Sequence, residues 1–169
     1  MTAEEVPDIA QVVAEHGGMI RRIVATVEAN SAIAQELEQE ILVALWRALP
    51  TWRGASSLRT FVARVAEYRA ITHVTREARR PRGVEIDEAL ASDAPDPSMD
   101  AEARDVRAKL TAALRALPTG LRAVAALTLE GLSPAEIADA LGITANACSL
   151  RLHRAKALLA EMMGEGGTR

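Results

Sequence analysis

The stretch SPAEIADALGITANACSLRLHRAK, residues 133–156, decides how the second half of this chain folds. Ser133 and Glu136 have the spacing of a capping box, and a proline follows Ser133 at the first helical position, so a helix is predicted to begin here. Gly142 stands where a left-handed residue can end that helix at low steric cost, and Thr144 can cap a second one. The stretch therefore predicts two helices joined by a short turn, which is the arrangement of a helix-turn-helix.

The second predicted helix has an apolar face and a polar, basic face. The apolar face consists of Cys148, Leu152, Ala155 and Leu159. The outer face consists of Asn146, Ser149, Leu150, Arg151, His153, Arg154 and Lys156. A helix with a polar and basic outer face fits the major groove of DNA, so this face is a candidate DNA-reading surface. The same spacing also fits an ordinary helical hairpin with a solvated face, and the stretch alone leaves both interpretations open.

The composition favours an all-α protein. The chain has 169 residues, of which 49% are hydrophobic and 25% are charged, as is ordinary for one soluble domain or two small ones. Its four aromatic residues all lie between Trp46 and Tyr68, so the core has to be built from Ala, Leu, Val and Ile. Abundant Ala and Leu with few strand-like runs therefore predict helices.

The chain shows no sign of a membrane segment or of disulfide bonding. No stretch approaches the roughly 18 uncharged apolar residues of a membrane span. Acidic residues near the N-terminus, Glu4, Glu5 and Asp8, do not suit a signal peptide, so we expect a cytoplasmic protein without membrane insertion. A single cysteine excludes an internal disulfide, and its place on an apolar face indicates a small buried side chain.

The net charge of −3 hides a strong segregation of charge along the chain. Residues 1–50 hold three Arg against eight acids, whereas residues 51–82 hold eight Arg against two Glu. Residues 83–105 hold one Arg against eight acids, and residues 106–163 hold seven bases against four acids. Two basic blocks separated by an acidic one indicate two modules that face nucleic acid, joined by a linker.

The segment 33–49, IAQELEQEILVALWRAL, predicts a strong helix that ends before Pro50. Its apolar stripe consists of Ile33, Leu37, Ile41, Leu45 and Ala48, widened by Leu42, Trp46 and Leu49. A separate face carries Glu36, Gln39, Glu40, Val43 and Arg47. Acids in the first turns suit the helix dipole, and they equally suit docking of a basic partner, so the charges alone leave both roles open.

A loop and a basic helix follow. In the loop TWRGASS, residues 51–57, an aromatic beside an arginine suits stacking and phosphate contact with single-stranded nucleic acid, although Trp52 equally suits a place in the core. The next helix is predicted over about 57–79. Arg69, His73, Arg76 and Arg80 follow one another at spacings of four, three and four, so they are predicted to line one face.

Set in this arginine row, His73 indicates a phosphate-contacting or base-contacting surface. A metal site is disfavoured because His16 and His153 have no ligand spacing to it. We expect no metal, no cofactor and no catalytic residue.

The charge and proline pattern predicts the domain boundaries. Residues 83–105, acidic and with two prolines, are predicted to be a flexible linker. The first module is expected over 1–82, the second over 106–163, and a short tail over 164–169.

The order of these features resembles an extracytoplasmic-function (ECF) sigma factor of the sigma-70 family. In the first half, the resemblance rests on ELEQE at 36–40, ALWRA at 44–48 and WRGASSLRTF at 52–61, followed by the basic helix. In the second half, it rests on LP at 117–118, LRAV at 121–124, EGLS at 130–133, EIA at 136–138, LGI at 141–143 and RLHRA at 151–155. The resemblance covers nearly the whole chain.

The resemblance implies a dissociable subunit that gives core RNA polymerase its promoter specificity. Two all-α domains, sigma-2-like and sigma-4-like, would bind core RNA polymerase and promoter DNA, and an anti-sigma factor would be a further partner. The core-binding residues would be Glu36, Gln39, Glu40 and Arg47. The minus-10 element would be held by Trp52, Arg53 and Ser56 in the loop and by Arg69, His73, Arg76 and Arg80. The minus-35 element would be read by Asn146, Ser149, Leu150 and His153, with Arg151, Arg154 and Lys156 on phosphates.

The chain departs from the common pattern of that family at several positions. Glu67, Tyr68 and Thr72 stand where the basic helix commonly has Arg, Asn and Asp, and Ser149 and Leu150 stand where Lys and Ser are frequent. Two other functions are therefore weighed: a sigma-like decoy that binds an anti-sigma factor, and a free-standing helix-turn-helix repressor. The repressor leaves the acidic helix and the arginine row unexplained.

Overall fold

The computed structural model of this protein describes residues 7–81, 98 and 100–165. Within those ranges it contains seven α-helices, one short 3₁₀ turn at Leu49–Thr51, and no strand, which confirms the predicted all-α fold class. The helices are α1 (Ile9–Ala25), α2 (Ser31–Ala48), α3 (Leu58–Ala78), α4 (Ala101–Ala116), α5 (Thr119–Leu129), α6 (Pro134–Leu141) and α7 (Ala145–Glu165).

Side-chain caps set the starts of the helices in the first module. The Asn30 side chain accepts hydrogen bonds from the backbone N–H groups of Ala32 and Ile33, so α2 begins at Ser31, slightly before the apolar stripe. Ser57 Oγ accepts a hydrogen bond from the backbone N–H of Thr60 and starts α3. The end of α2 passes into the 3₁₀ turn that contains Pro50, as expected for a residue that cannot continue a helix.

Helix α4 begins inside the segment that the charge and proline pattern predicts to be a linker. Asp100 Oδ1 accepts a hydrogen bond from the backbone N–H of Ala103, so α4 starts at Ala101, inside the segment 83–105. The acidic charge of this stretch therefore partly belongs to the first turn of a helix. The remainder of the predicted linker, 83–97 and 99, lies outside the described residues, as does the tail from 166 to 169.

The helix-turn-helix forms as predicted. The backbone N–H of Ser133 donates to Glu136 Oε2 over 2.7 Å, and the backbone N–H of Glu136 donates to Ser133 Oγ over 3.3 Å. Gly142 ends α6 with a φ of 63°, a conformation that costs glycine little. Thr144 Oγ1 accepts from the backbone N–H of Ala147 and starts α7. Local sequence alone accounts for this part of the fold.

The two modules share one apolar core. It runs from α1 and α2 through α3 into α5, α6 and α7. Its fully buried members include Val12, Ile20, Ile41, Leu45, Val62, Val124, Leu127, Ile137 and Cys148. A smaller apolar cluster around Leu114, Leu117 and Ala155 joins α4 to α5 and α7. The second module is therefore packed directly onto the first, mainly through α3 and α6.

In the part of the chain that the structure covers, no helix combines the length and apolar character needed to cross a membrane.

The capping box generates a prediction about stability. Replacing Ser133 by Ala leaves the backbone N–H of Glu136 without its side-chain acceptor, so the free energy of unfolding should fall by about 1 kcal/mol. The main cause that lowers the pKa of Glu136 is the hydrogen bond from the backbone N–H of Ser133, and this bond is kept in the variant, so the loss measures the Ser133 side chain.

Urea unfolding followed by circular dichroism measures this effect. Ser149→Ala is the matched control, because Ser149 is exposed inside α7, and its change should stay within about 0.5 kcal/mol. Equal losses in the two variants would contradict a capping role for Ser133.

Candidate nucleic-acid interface

The outer face of α7 is free on the surface of the second module. Cys148 and Ala155 are fully buried, which fixes the rotation of α7 on its neighbours. The residues exposed on the opposite side are Asn146, Ser149, Leu150, His153, Arg154 and Lys156. Leu150 is 47% exposed and adds an apolar side chain to this face. The start of this face, at Asn146 and Ser149, lies next to the turn, where the N-terminal end of a helix can enter a groove.

Arg151 differs from the other bases of this helix because it is half-buried. Its Nη1 atom lies 3.4 Å from the point that a Cβ on Gly120 would occupy. The guanidinium group thus covers the first turn of α5, and the absence of a side chain at Gly120 leaves room for it. In this arrangement Arg154 and Lys156 are exposed, whereas Arg151 is partly covered.

The arginine row on α3 is divided by a buried histidine. Arg76 and Arg80 are exposed and Arg69 is half-buried, whereas His73 is only 4% exposed. His73 Nε2 lies 3.0 Å from Glu28 Oε2, a residue of the segment between α1 and α2. The expectation that His73 faces outward with the arginines is therefore wrong, because the connection after α1 covers the middle of the row.

Acidic residues of α2 line the same cleft as Arg76 and Arg80. Arg76 Nη2 lies 3.3 Å from Glu40 Oε2, and Arg80 Nη1 lies 3.3 Å from Glu77 Oε1. Glu36 also lines this cleft. The predicted core-binding face and the predicted DNA-binding row are thus neighbours, which their separation in the sequence did not reveal. Exposed pairs of this kind stabilise little, so the side chains can exchange partners readily.

Trp52 anchors the loop between α2 and α3. Its indole packs at the edge of the apolar core, and its Nε1 atom donates a hydrogen bond to the backbone oxygen of Ser56 over 3.0 Å. Arg53 is exposed and its Nη1 atom donates to the backbone oxygen of Pro50 over 3.1 Å. Gly54 at the loop tip has a φ of 71°. The indole therefore holds a compact, exposed loop in place.

Trp46 and Val43 form an exposed apolar patch on α2 that the sequence pattern does not predict. Trp46 is 63% exposed and Val43 is 47% exposed, although Trp46 was expected to widen the core stripe. Glu36, Gln39, Glu40 and Arg47 are all exposed on the same helix. The available signal was spacing: Trp46 follows Val43 by three residues and precedes Arg47, which places it beside the polar face. A large aromatic ringed by charges has the make-up of a protein interface.

The residues that the structure describes hold no group of three or more side chains placed to bind a metal ion.

Family models match the two modules in order. The sigma-70 region 2 model matches residues 12–80, and the sigma-70 region 4 model matches residues 107–159. The chain is 38% identical over 133 residues to the ECF RNA polymerase sigma factor SigF of Caulobacter vibrioides, which covers 76% of this chain and 70% of SigF. It is 26% identical over 162 residues to the RNA polymerase sigma factor CnrH of Cupriavidus metallidurans, which covers 90% of this chain and 85% of CnrH.

Two solved structures have the same fold. RpoE of Bartonella quintana, in complex with the anti-sigma factor NepR, superposes with a TM-score of 0.71 at 20% identity, covering 93% of this chain and 97% of RpoE. CnrH, in complex with the cytosolic domain of CnrY, gives a TM-score of 0.67 at 23% identity, covering 95% of this chain and 89% of CnrH. The chain therefore belongs to the sigma-70 family. Within that family, its relatives place it among the ECF RNA polymerase sigma factors.

The exposed pair Arg76 and Arg80 generates a prediction about salt. If both side chains contact DNA phosphates, Arg76→Ala with Arg80→Ala should flatten the dependence of promoter-complex affinity on salt, by about one unit of log–log slope per lost contact.

Fluorescence anisotropy of the complex of polymerase, sigma factor and promoter across a salt series measures the slope. Lys109→Ala is the control, because Lys109 is an exposed base on α4 that pairs with Asp105. An equal loss of affinity at every salt concentration would show that the arginines act through the fold instead.

Proposed function

We propose that this sigma factor binds core RNA polymerase and directs promoter-specific transcription initiation through contacts with the minus-10 and minus-35 elements. The observation that carries the proposal is the ordered match of regions 2 and 4, with the outer face of α7 exposed and basic in the second of them. Segregated charge supports it, because both matched regions contain the basic blocks of a chain whose net charge is negative.

The core-binding surface is the exposed face of α2. Glu36, Gln39, Glu40 and Arg47 are exposed on the same helix as Trp46 and Val43. Burial of a tryptophan that is 63% exposed would supply much of the binding energy, and the charged rim would set orientation. This division of labour explains why an apolar side chain of that size is left in solvent on a helix that has a core to join.

The minus-10 contacts come from the loop after α2 and from α3. Trp52, Arg53 and Ser56 belong to the loop, and Arg69, Arg76 and Arg80 provide positive charge further along the chain, on α3 and just after it. A base extruded from the duplex can stack on an aromatic ring or fit a pocket that such a loop forms. His73, being buried against Glu28, would position α3 and would not touch DNA.

The minus-35 contacts come from α7. Asn146, Ser149, Leu150 and His153 would meet base edges, because they lie on the exposed face that starts at the turn. Arg154 and Lys156 would bind phosphates. Arg151 could bind a phosphate only after its guanidinium group moved away from Gly120.

An anti-sigma factor is the proposed regulatory partner. RpoE of Bartonella quintana was solved with the anti-sigma factor NepR, and CnrH was solved with the cytosolic domain of CnrY. A subunit of this kind would act beside the chromosome in the cytoplasm, as a regulator and not as an enzyme.

Co-purification with core polymerase followed by promoter-dependent transcription tests the proposed function. Glu36→Lys with Glu40→Lys should abolish core binding while leaving helical content intact, because both side chains are exposed and the apolar stripe of α2 is untouched. Loss of binding is measured by gel filtration with core enzyme.

A matched variant controls for net charge. Glu102→Lys with Asp105→Lys makes the same change in charge on the exposed surface of α4 and should leave core binding unchanged. Wild-type core affinity in the α2 variant would remove the docking assignment, and binding to an anti-sigma factor without any transcription would identify a decoy.

Specificity in the second module generates another prediction. Asn146 can pair bidentately with adenine, whereas Arg154 lies two turns further along α7 towards the DNA backbone. Asn146→Ala should weaken binding to the preferred upstream element by roughly 1–3 kcal/mol and hardly change binding to scrambled DNA. Arg154→Ala should weaken both nearly equally.

Holoenzyme binding to matched and scrambled duplexes at one salt concentration separates these outcomes. Equal losses for Asn146→Ala on both duplexes would mean that α7 is rotated in the groove and that Arg151 and Arg154 read the bases.

A further inference from the structure

The surface between the two modules contains a buried pair of opposite charges. Glu67 on α3 is 0% exposed and Arg122 on α5 is 2% exposed. Arg122 Nη2 donates to Glu67 Oε2 over 3.4 Å, and its Nη1 donates to Thr26 Oγ1 over 3.1 Å. The carboxylate and the hydroxyl belong to the first module and the guanidinium to the second. Both charges can therefore be hydrated when the modules part, and both lose water when the modules dock.

Exposed ion pairs flank this buried pair. Arg22 donates to Glu130 through two hydrogen bonds of 2.7 and 2.8 Å, and Arg64 Nη2 lies 2.8 Å from Asp139 Oδ2. In each of these pairs the first module supplies the base and the second supplies the acid. The interface thus has matched charges across its whole width, which fixes one way of docking.

The buried pair makes docking specific without making it very stable. Glu67 Oε1 and Arg122 Nε are buried and have no hydrogen-bond partner in the described part of the chain. Two desolvated charges with incomplete hydrogen bonding gain little net free energy over hydrated ones. A contact of this kind selects a partner and can still be released.

The docked modules lie too close together to contact both promoter elements of the proposed function at once. Elements centred at minus 10 and minus 35 are about 25 base pairs apart, or roughly 85 Å at 3.4 Å per base pair. A compact chain of 169 residues has a radius of gyration of only about 15 Å. The 22 residues from 79 to 100, which join α3 to α4, can span at most roughly 80 Å when fully extended. Parted modules can therefore cover the distance, and docked modules cannot.

We propose that Glu67, Thr26 and Arg122 form a latch that holds the free sigma factor closed, and that the latch must open before both promoter elements can be engaged. The required opening for promoter binding rests on the proposed function. The latch itself is a property of the free chain.

Charge reversal tests the latch. Glu67→Lys places two positive charges face to face, and Arg122→Glu places two negative charges face to face, so each single variant should open the free protein. The double variant Glu67→Lys with Arg122→Glu restores opposite charges and should close it again. Small-angle X-ray scattering of the free chain measures the radius of gyration, which should rise from about 15 Å to above roughly 20 Å in the open variants.

Matched variants keep the result interpretable. Lys109→Glu reverses a charge in an exposed pair on α4, away from the interface, and should leave the radius unchanged. Far-ultraviolet circular dichroism checks that each variant keeps its helices, and if one single variant loses them, the other single variant decides the case. Single variants as compact as wild type, a wild type that is already extended, or a double variant that stays open would each overturn the latch.

Assembly on a promoter that carries both elements tests the need for opening. If the open form is about a tenth of the free wild type or less, Glu67→Lys should assemble with core polymerase and that promoter at least about tenfold more tightly. Unchanged affinity in a variant that is open by scattering would overturn the required opening. Absence of core binding in wild type and variant alike would refute the proposed function and leave the scattering result standing.

Discussion

The stripe of small residues on α3 is the constraint on which the whole arrangement depends. Ala63, Ala66 and Ala70 are all fully buried, at spacings of three and four that place them on one face of the helix. A face without long side chains lets neighbouring helices approach closely, and α3 packs against α1, α2, α5 and α6. A chain with few aromatic residues can therefore still build a dense core, with α3 as the central element of both modules.

The same helix carries titratable side chains at two different depths. Glu67 and His73 are buried and meet Arg122 and Glu28, partners that lie 55 and 45 residues away in the sequence. Arg76 is exposed and meets Glu40 across a shallow cleft. Depth decides function here, because buried pairs fix how elements dock, whereas exposed pairs leave the side chains available to another molecule. The net charge of the basic block, residues 51–82, does not distinguish the buried pairs from the exposed ones.

Local signals predicted the helix-turn-helix and the all-α fold class, because caps, turns and periodicity act within a few residues. Ser133, Glu136 and Gly142 needed no knowledge of the rest of the molecule. Exposure of individual side chains was harder to predict. His73 shares helical spacing with the arginines, yet a connection from elsewhere in the chain covers it, and Trp46 lies at the border between two faces of α2. The docking of one module on the other depends on contacts between residues that lie on opposite sides of the predicted linker in the sequence. Local patterns do not encode such contacts.

The buried pair also connects the shape of the protein to proton concentration. Burial raises the pKa of Glu67 to about 7. The positive charge of Arg122 acts in the opposite direction and lowers this pKa, but its effect is the smaller one. Separation of the modules would return this carboxyl to water and to its ordinary, lower pKa. A proton that Glu67 holds in the docked form would then be released when the modules part, and the pairing of opposite charges with Arg122 is complete only above that raised pKa. A transcription subunit built in this way carries a titratable group at the contact that governs its reach along DNA.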